Sequence, residues 1–211
     1  MAIAALSLLA LLASRQARKE AVIMAELEHR VKNTLALVAT VVERSRDNTK
    51  SIDEFVSSVR DRIQAMTATQ TLLDQSRRSV SVADLVRTEL RPYATATNSS
   101  IDGPRVDLLP AASHAVAMVL HELATNAAKY GALSRAGGHV SVRWTKTADL
   151  LRIEWKETGG PRVEAPTRQG YGSTLIRDLL TYEIGGRVDL EFDSNGVRCT
   201  IQLPANVETV V

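Results

Sequence analysis

The chain has 211 residues, ordinary apolar and charged content, and a formal net charge of +2. That is enough chain to bury a real core in one full domain plus a smaller element, or in two modest domains. Charge so near balance gives no ground for a nucleic-acid partner, and the single cysteine, Cys199, forbids an internal disulfide and fits a reducing compartment.

Residues 2–13 form an apolar run followed by Arg15, Arg18 and Lys19. A helix of about twelve residues spans about 18 Å against about 30 Å of bilayer hydrocarbon, and no basic residues precede the run as they would in a signal peptide. Three readings stay open: the remnant of a longer membrane or sensor helix, an extension of a helical seam, or an interfacial anchor. Any membrane contact would run through residues 1–13.

From about Ser14 to Arg46 there is neither Pro nor Gly, and Leu27, Val31, Leu35, Val38 and Val42 recur at steps of three and four. This predicts one long amphipathic helix. His29 lies off its apolar stripe, roughly 200° around the helix from Leu27, and Asn33 sits one turn along beside it. Taken alone, His29 reads as a solvated surface histidine. A second helix is expected from Ser51 or Asp53, as cap, to about Ser76, with its stripe on Ile52, Phe55, Val59, Ile63, Met66, Thr69 and Leu73. Two such helices joined by a short loop predict an antiparallel hairpin whose stripes are buried only by the hairpin itself or by a second copy, hence a dimeric four-helix bundle.

A further helix starts near Val82 with Ser81 as its cap and ends before Pro92, followed by a short strand and turns over 98–107. From Pro110 to Ala132, Val116, Leu120, Leu123 and Ala127 form a buried helical stripe, with Glu122, Asn126 and Lys129 on a polar flank about 100° away. A carboxylate, an amide and an ammonium can orient a divalent cation and the phosphates it bridges, although the same spacing also describes an ordinary charged helix face. His139–Trp144 and Leu150–Trp155 alternate as paired strands. The second runs into Trp155-Lys156-Glu157-Thr158-Gly159-Gly160-Pro161, where glycine permits close backbone approach. Gly170-Tyr171-Gly172-Ser173 opens a helix over Thr174 to Glu183, and free backbone N–H groups at a helix start suit phosphate. Two last strands, Arg187 to Phe192 and Val197 to Leu203, flank a turn at Asp193-Ser194-Asn195-Gly196.

Four of these segments, in this order, resemble the HWE histidine kinases over about Glu26 to Pro204: Glu26-Leu27-Glu28-His29-Arg30-Val31-Lys32-Asn33-Thr34-Leu35 the phosphoacceptor helix, His121-Glu122-Leu123-Ala124-Thr125-Asn126-Ala127-Ala128-Lys129-Tyr130-Gly131 the asparagine box, Trp155-x-Glu157 with Gly159 and Gly160 the first glycine box, and Gly170-x-Gly172-Ser173 the second. The resemblance implies that His29 takes phosphate from ATP and that Asn126 holds Mg²⁺ against the triphosphate. Glu122 polarises through water or acts as a base, and Lys129 meets phosphate with Tyr130 beside it. Glu157 stands where the wider ATPase superfamily has an aspartate accepting from the adenine amino group. Gly159, Gly160, Gly170, Gly172 and Ser173 line the nucleotide, Arg168 is a charge partner, and Thr200 matches a threonine that helps to seat adenine. Trp155 and Cys199 are expected to pack. His121, for which the family is partly named, is expected to be hydrogen bonded rather than catalytic.

The expected fold is α+β: an N-terminal helical hairpin over 14–78, then an α/β sandwich of the GHKL (Bergerat) ATP-binding type over 79–206, with 1–13 as an apolar segment and 207–211 as a tail. The implied protein is a cytoplasmic bacterial sensor kinase that autophosphorylates His29, passes phosphate to an aspartate of a response regulator receiver domain, and pairs as a homodimer through the hairpin. Arg30 occupies the place where other sensor kinases put a carboxylate, which leaves the base open between Glu28 and Glu122. Asn33, on the histidine's face, is a candidate to orient a water for dephosphorylation of the regulator. The rival functions are a histidine phosphotransferase relay and an adaptor that binds ATP without transferring phosphate.

Overall fold

In the computed structural model the described residues are 51–76, 79–95, 97–162, 184–207 and the isolated positions Met24, Ala39, Val42 and Leu180. The chain divides into two compact units, Met1–Glu43 and Arg44–Val211. In the first, Met24, Ala39 and Val42 are helical and exposed. No helix among the described residues is long and apolar enough to cross a membrane.

The second unit is a helical layer on a five-stranded sheet. Helix α1 (Ile52–Gln75) leads to a two-residue strand β1 (Val80–Ser81) and helix α2 (Val82–Leu90). The Ser81 side chain accepts from the backbone N–H of Asp84, the capping bond its sequence position predicts. Strands β2 (Ser99–Asp102) and β3 (Asp107–Leu108) precede helix α3 (Pro110–Lys129), which starts on a proline, as suits a first-turn position with no N–H to satisfy. A 3₁₀ turn at Ala132–Ser134 leads into β4 (His139–Lys146) and β5 (Leu150–Thr158); the hairpin of β6 (Arg187–Asp193) and β7 (Gly196–Pro204) closes the sheet.

Strand order is β2-β4-β5-β7-β6, with β2 parallel to β4 and every other pair antiparallel; β1 and β3 form a separate small ladder. The expected sandwich is therefore present. Period-two alternation sends Val142, Ile153, Trp155, Cys199, Ile201 and Leu203 to the face that α2 and α3 cover, all buried. Arg143, Arg152, Glu154 and Lys156 project from the other face into solvent. The four apolar residues predicted for α3, Val116, Leu120, Leu123 and Ala127, are each at most 2% exposed. Burying side chains of this kind contributes about 1.5–3 kcal/mol apiece for the larger ones. Burial pushes the Cys199 thiol up to about 12, so it is a packed and unreactive side chain. Trp144, near the other end of the sheet from the site described below, covers Gly103 and donates through Nε1 to the Pro104 carbonyl at 2.6 Å.

Helix α1 has a partner that the sequence did not predict. Besides any burial within the hairpin or by a second copy, the buried positions Arg62, Ala65, Thr69 and Leu73 mark a side on which α1 meets α3. Ile52, at 81% exposed, and Ile63, at 37%, point elsewhere. The apolar period was read correctly as helix, and Thr69 and Leu73 of the predicted stripe do pack, but Arg62 and Ala65 join them in place of Ile52 and Ile63. Small residues let α1 approach α3, and an ion pair completes the contact.

Candidate functional site

Helix α3 carries the polar flank to two different destinations. Near its middle, Glu122 is not solvated as a flank residue would be: Arg62 Nε donates to Glu122 Oε1 at 2.6 Å, with the two side chains 7% and 11% exposed. Arg62 Nη1 also donates to Ser58 Oγ at 2.8 Å. Next to it, His121 Nδ1 lies 3.0 Å from Glu89 Oε2 of α2, so His121 is hydrogen bonded between helices. Consecutive residues of α3 thus engage α1 and α2. One turn further on, Asn126, Lys129 and Tyr130 are exposed, Tyr130 at 74%. Lys129 in the last turn also complements the negative end of the helix dipole.

The chain then folds back on itself around Ala132. Gly131 N–H donates to the carbonyls of Asn126 and Ala127, closing the helix. A side chain at Gly131 would overlap Glu157 Oε2, one at Gly138 would overlap the Ala132 carbonyl, and one at Gly160 would press on Ala132 N and Cα at 2.9 Å. Gly159 has φ +69°, a backbone conformation that glycine alone adopts freely. Three separate stretches of chain, the end of α3, the start of β4 and the end of β5, therefore meet at backbone contact distance.

Glu157 is what ties them. It belongs to β5 itself rather than to the turn after it, and is 4% exposed. Ala132 N–H donates to Oε2 at 2.8 Å and Trp155 Nε1–H donates to Oε1 at 3.1 Å. Trp155, two residues back on the same face of the strand and 1% exposed, packs as expected and also donates. Burial raises the Glu157 pKa from its ordinary value of 4.5, outweighing the two hydrogen bonds from Ala132 and Trp155 that favour the carboxylate. A folded-state pKa above the unfolded one means the native state binds the proton more tightly. The associated stability is present in full below pH 4.5 and is lost as pH rises through the raised pKa. Chemical denaturation of the native chain and of Glu157→Gln across pH 4 to about 8 is expected to show this decline in the native chain and its loss in the variant; equal slopes would mean that Glu157 titrates in the same way folded and unfolded.

The structure thus brings Asn126, Lys129, Tyr130, Glu157, Gly159 and Gly160 to one region at the end of α3. It separates Glu122, which faces α1. Thr200 is corrected: it pairs across from Glu154 and Asp189 and lies on the open face of the sheet, one residue out of register with Cys199 and Ile201, so it does not share a face with Glu157. His29, Asn33, Arg168, Gly170, Gly172 and Ser173 fall outside the described residues, as does most of the helix predicted over Thr174 to Glu183, of which Leu180 is helical and buried. Sequence reasoning missed Arg62, Glu89 and the backbone N–H of Ala132. Only Arg62 left a signal, as a charge three, seven and eleven residues before Ala65, Thr69 and Leu73.

Among the described residues no group of three His, Cys, Asp or Glu side chains could hold a metal by itself. An exposed carboxamide beside an ammonium and a phenol suits a metal that arrives with phosphate oxygens as its other ligands.

Residues 26–105 match the model of the HWE histidine kinase family. The chain is 30% identical over 200 residues to blue-light-activated histidine kinase 1 of Erythrobacter litoralis, covering 91% of this chain and 55% of that protein. With a blue-light-activated histidine kinase of Rhizobium johnstonii it shares 29% over 186 residues, 87% of this chain and 53% of that one. It spans about half the length of these curated relatives. Its fold is similar to that of the Erythrobacter litoralis EL346 blue-light activated histidine kinase, at a TM-score of 0.62 and 20% identity over 85% of this chain and 58% of that chain. The likeness to the histidine kinase domain of that protein has a TM-score of 0.57 at 16% identity, covering 84% and 95%.

Proposed function

We propose, for a chain that carries an HWE histidine kinase domain, that it is a two-component sensor histidine kinase: it autophosphorylates His29 with ATP and passes the phosphoryl group to an aspartate of a response regulator receiver domain. The observation that carries this reading is the family match over residues 26–105, which contains His29. The grouping of Asn126, Lys129 and Tyr130 with Glu157 at the end of α3 supports it. A phosphotransferase relay would have no use for that second cluster.

Mg²⁺–ATP, when bound, supplies the γ-phosphoryl group and ADP as leaving group. The chain does the rest. Asn126 holds the cation through its carboxamide, Lys129 meets phosphate charge, Glu157 faces the adenine amino group, and Gly170, Gly172 and Ser173 offer backbone donors with Arg168 as charge partner. A His29 ring nitrogen forms the new bond to phosphorus, and the proton it sheds goes to Glu28 or Glu122. Glu122 must first exchange Arg62 before it can accept one. Asn33 orients a water for regulator dephosphorylation. By role, and not along the boundary of the two compact units, residues 14–78 carry the phosphoacceptor and 79–206 the nucleotide site; two copies pair through the hairpin in the cytoplasm, with 1–13 as the candidate membrane contact.

Incubating the purified chain with γ-labelled ATP and Mg²⁺ tests this. Acid-labile, alkali-stable label is expected on the native chain and not on His29→Ala or Asn126→Ala. A folded native chain that binds ATP and takes no label would favour an adaptor; one that binds no ATP would favour the relay.

A further inference from the structure

Glu157 poses a problem of aim. A glutamate has one more rotatable bond than an aspartate, and a carboxylate free to turn reads a ligand's hydrogen-bond donors poorly, because ordering it on binding costs side-chain entropy. In this chain the cost is met before any ligand arrives. Ala132 N–H holds one oxygen and the Trp155 indole N–H holds the other. The Glu157 backbone is in turn confined by Gly196, where a side chain would overlap the Glu157 carbonyl. Trp155 is a fixed donor because it is 1% exposed between the sheet and the helices. The two-residue spacing matters physically: it puts indole and carboxylate on one face of β5. A carboxylate has about four lone-pair positions, so two bonds to the protein leave capacity for a ligand.

We propose that Trp155 is a specificity-determining positioning residue, whose indole N–H locks the Glu157 carboxylate so that its remaining lone pairs read the amino group of a 6-aminopurine nucleotide. This deepens the ATP-binding reading above and rests on it. Trp155 itself touches no nucleotide; it acts through Glu157.

Titration calorimetry of the full chain with ATP and with purine riboside triphosphate, which lacks the 6-amino group, separates the possibilities. The native chain is expected to prefer ATP. Trp155→Phe is expected to weaken ATP about tenfold, the scale of one hydrogen bond to a charged group, and to leave the analogue unchanged, so that discrimination collapses. Equal weakening of both nucleotides would make Trp155 a packing residue and overturn the proposal, as would no weakening at all. A native chain that binds both nucleotides equally would overturn it while sparing the kinase reading; one that binds neither would overturn both.

Trp155→Phe removes volume from the core, so a second measurement uses the native chain. It has two tryptophans, hence two indole N–H resonances, and the Trp144 N–H bonds to Pro104. ATP is expected to shift the Trp155 resonance and slow its hydrogen exchange more than the analogue does, with Trp144 indifferent to the choice. Identical responses of Trp155 to the two nucleotides would overturn the proposal without any substitution.

Discussion

Arg62→Met is expected to destabilise the second unit by about 3–5 kcal/mol, because it takes from the buried Glu122 carboxylate the guanidinium paired with it. Against a total domain stability of roughly 5–15 kcal/mol, that is a large fraction. The loss should fall first on α1, whose attachment to α3 runs through this pair and the small buried residues Ala65 and Thr69. Glu122→Met alone should also destabilise, because it takes the paired carboxylate from a buried guanidinium. The double variant should recover most of what either single one loses, since replacing both members of a buried pair with apolar groups of similar volume is often close to neutral. Urea unfolding of the four proteins, followed by helical circular dichroism, gives the coupling directly. If the double variant is as unstable as the sum of the singles, the pair contributes nothing as a pair.

The second large effect is at Gly138. Its backbone is not in the glycine-only region; what excludes a side chain is the Ala132 carbonyl, which a methyl group would overlap. That oxygen belongs to a backbone held by its own N–H bond to Glu157, so it cannot turn aside as a long side chain would. Gly138→Ala is expected to cost roughly 3 kcal/mol as overpacking and to lower the melting temperature by roughly 6–12 °C for a chain of this size. On the ATP-binding reading proposed above, displacing Ala132 should lower nucleotide affinity along with stability. Gly137 is the control. It has φ +85° and open space where a side chain would stand, so Gly137→Ala should cost only about 1 kcal/mol of backbone strain and Gly137→Asn less. Thermal melts of the three variants check this, and similar losses at 137 and 138 would show that the Ala132 turn yields easily.

These two sites also show where sequence reading stops. The helices and strands were legible because each repeats a local period: Val116, Leu120 and Leu123 on α3, or Ile153 and Trp155 on β5. The Ser81 cap and the Asp193–Gly196 hairpin turn were legible for the same reason, being set by residues a few positions apart. Glu122 was legible as a polar residue on a helical flank. Its partner was not, because Arg62 is 60 positions away and no local pattern marks which charge a buried carboxylate will meet. The Thr200 error has a different origin. A motif match fixes position along the chain but not the strand face, and a slip of one residue reverses the face. Glu157 was identified by its neighbours in the sequence; its anchoring to Ala132 depends on a backbone N–H, which every residue except proline has and which therefore leaves no trace in the sequence.

The sheet ends in strands of contrasting kind. On one rim β2 is four residues long; on the other β6 reads Arg187, Val188, Asp189, Leu190, Glu191, Phe192, Asp193, a charge at every second place. Short or charged rims resist the addition of a strand from another molecule, since doing so would desolvate those side chains and bring like charges into register. Two copies brought together at high concentration therefore gain little by joining sheet to sheet into a continuous ribbon. Whatever assembly this chain enters, its helices have the freer surface to offer.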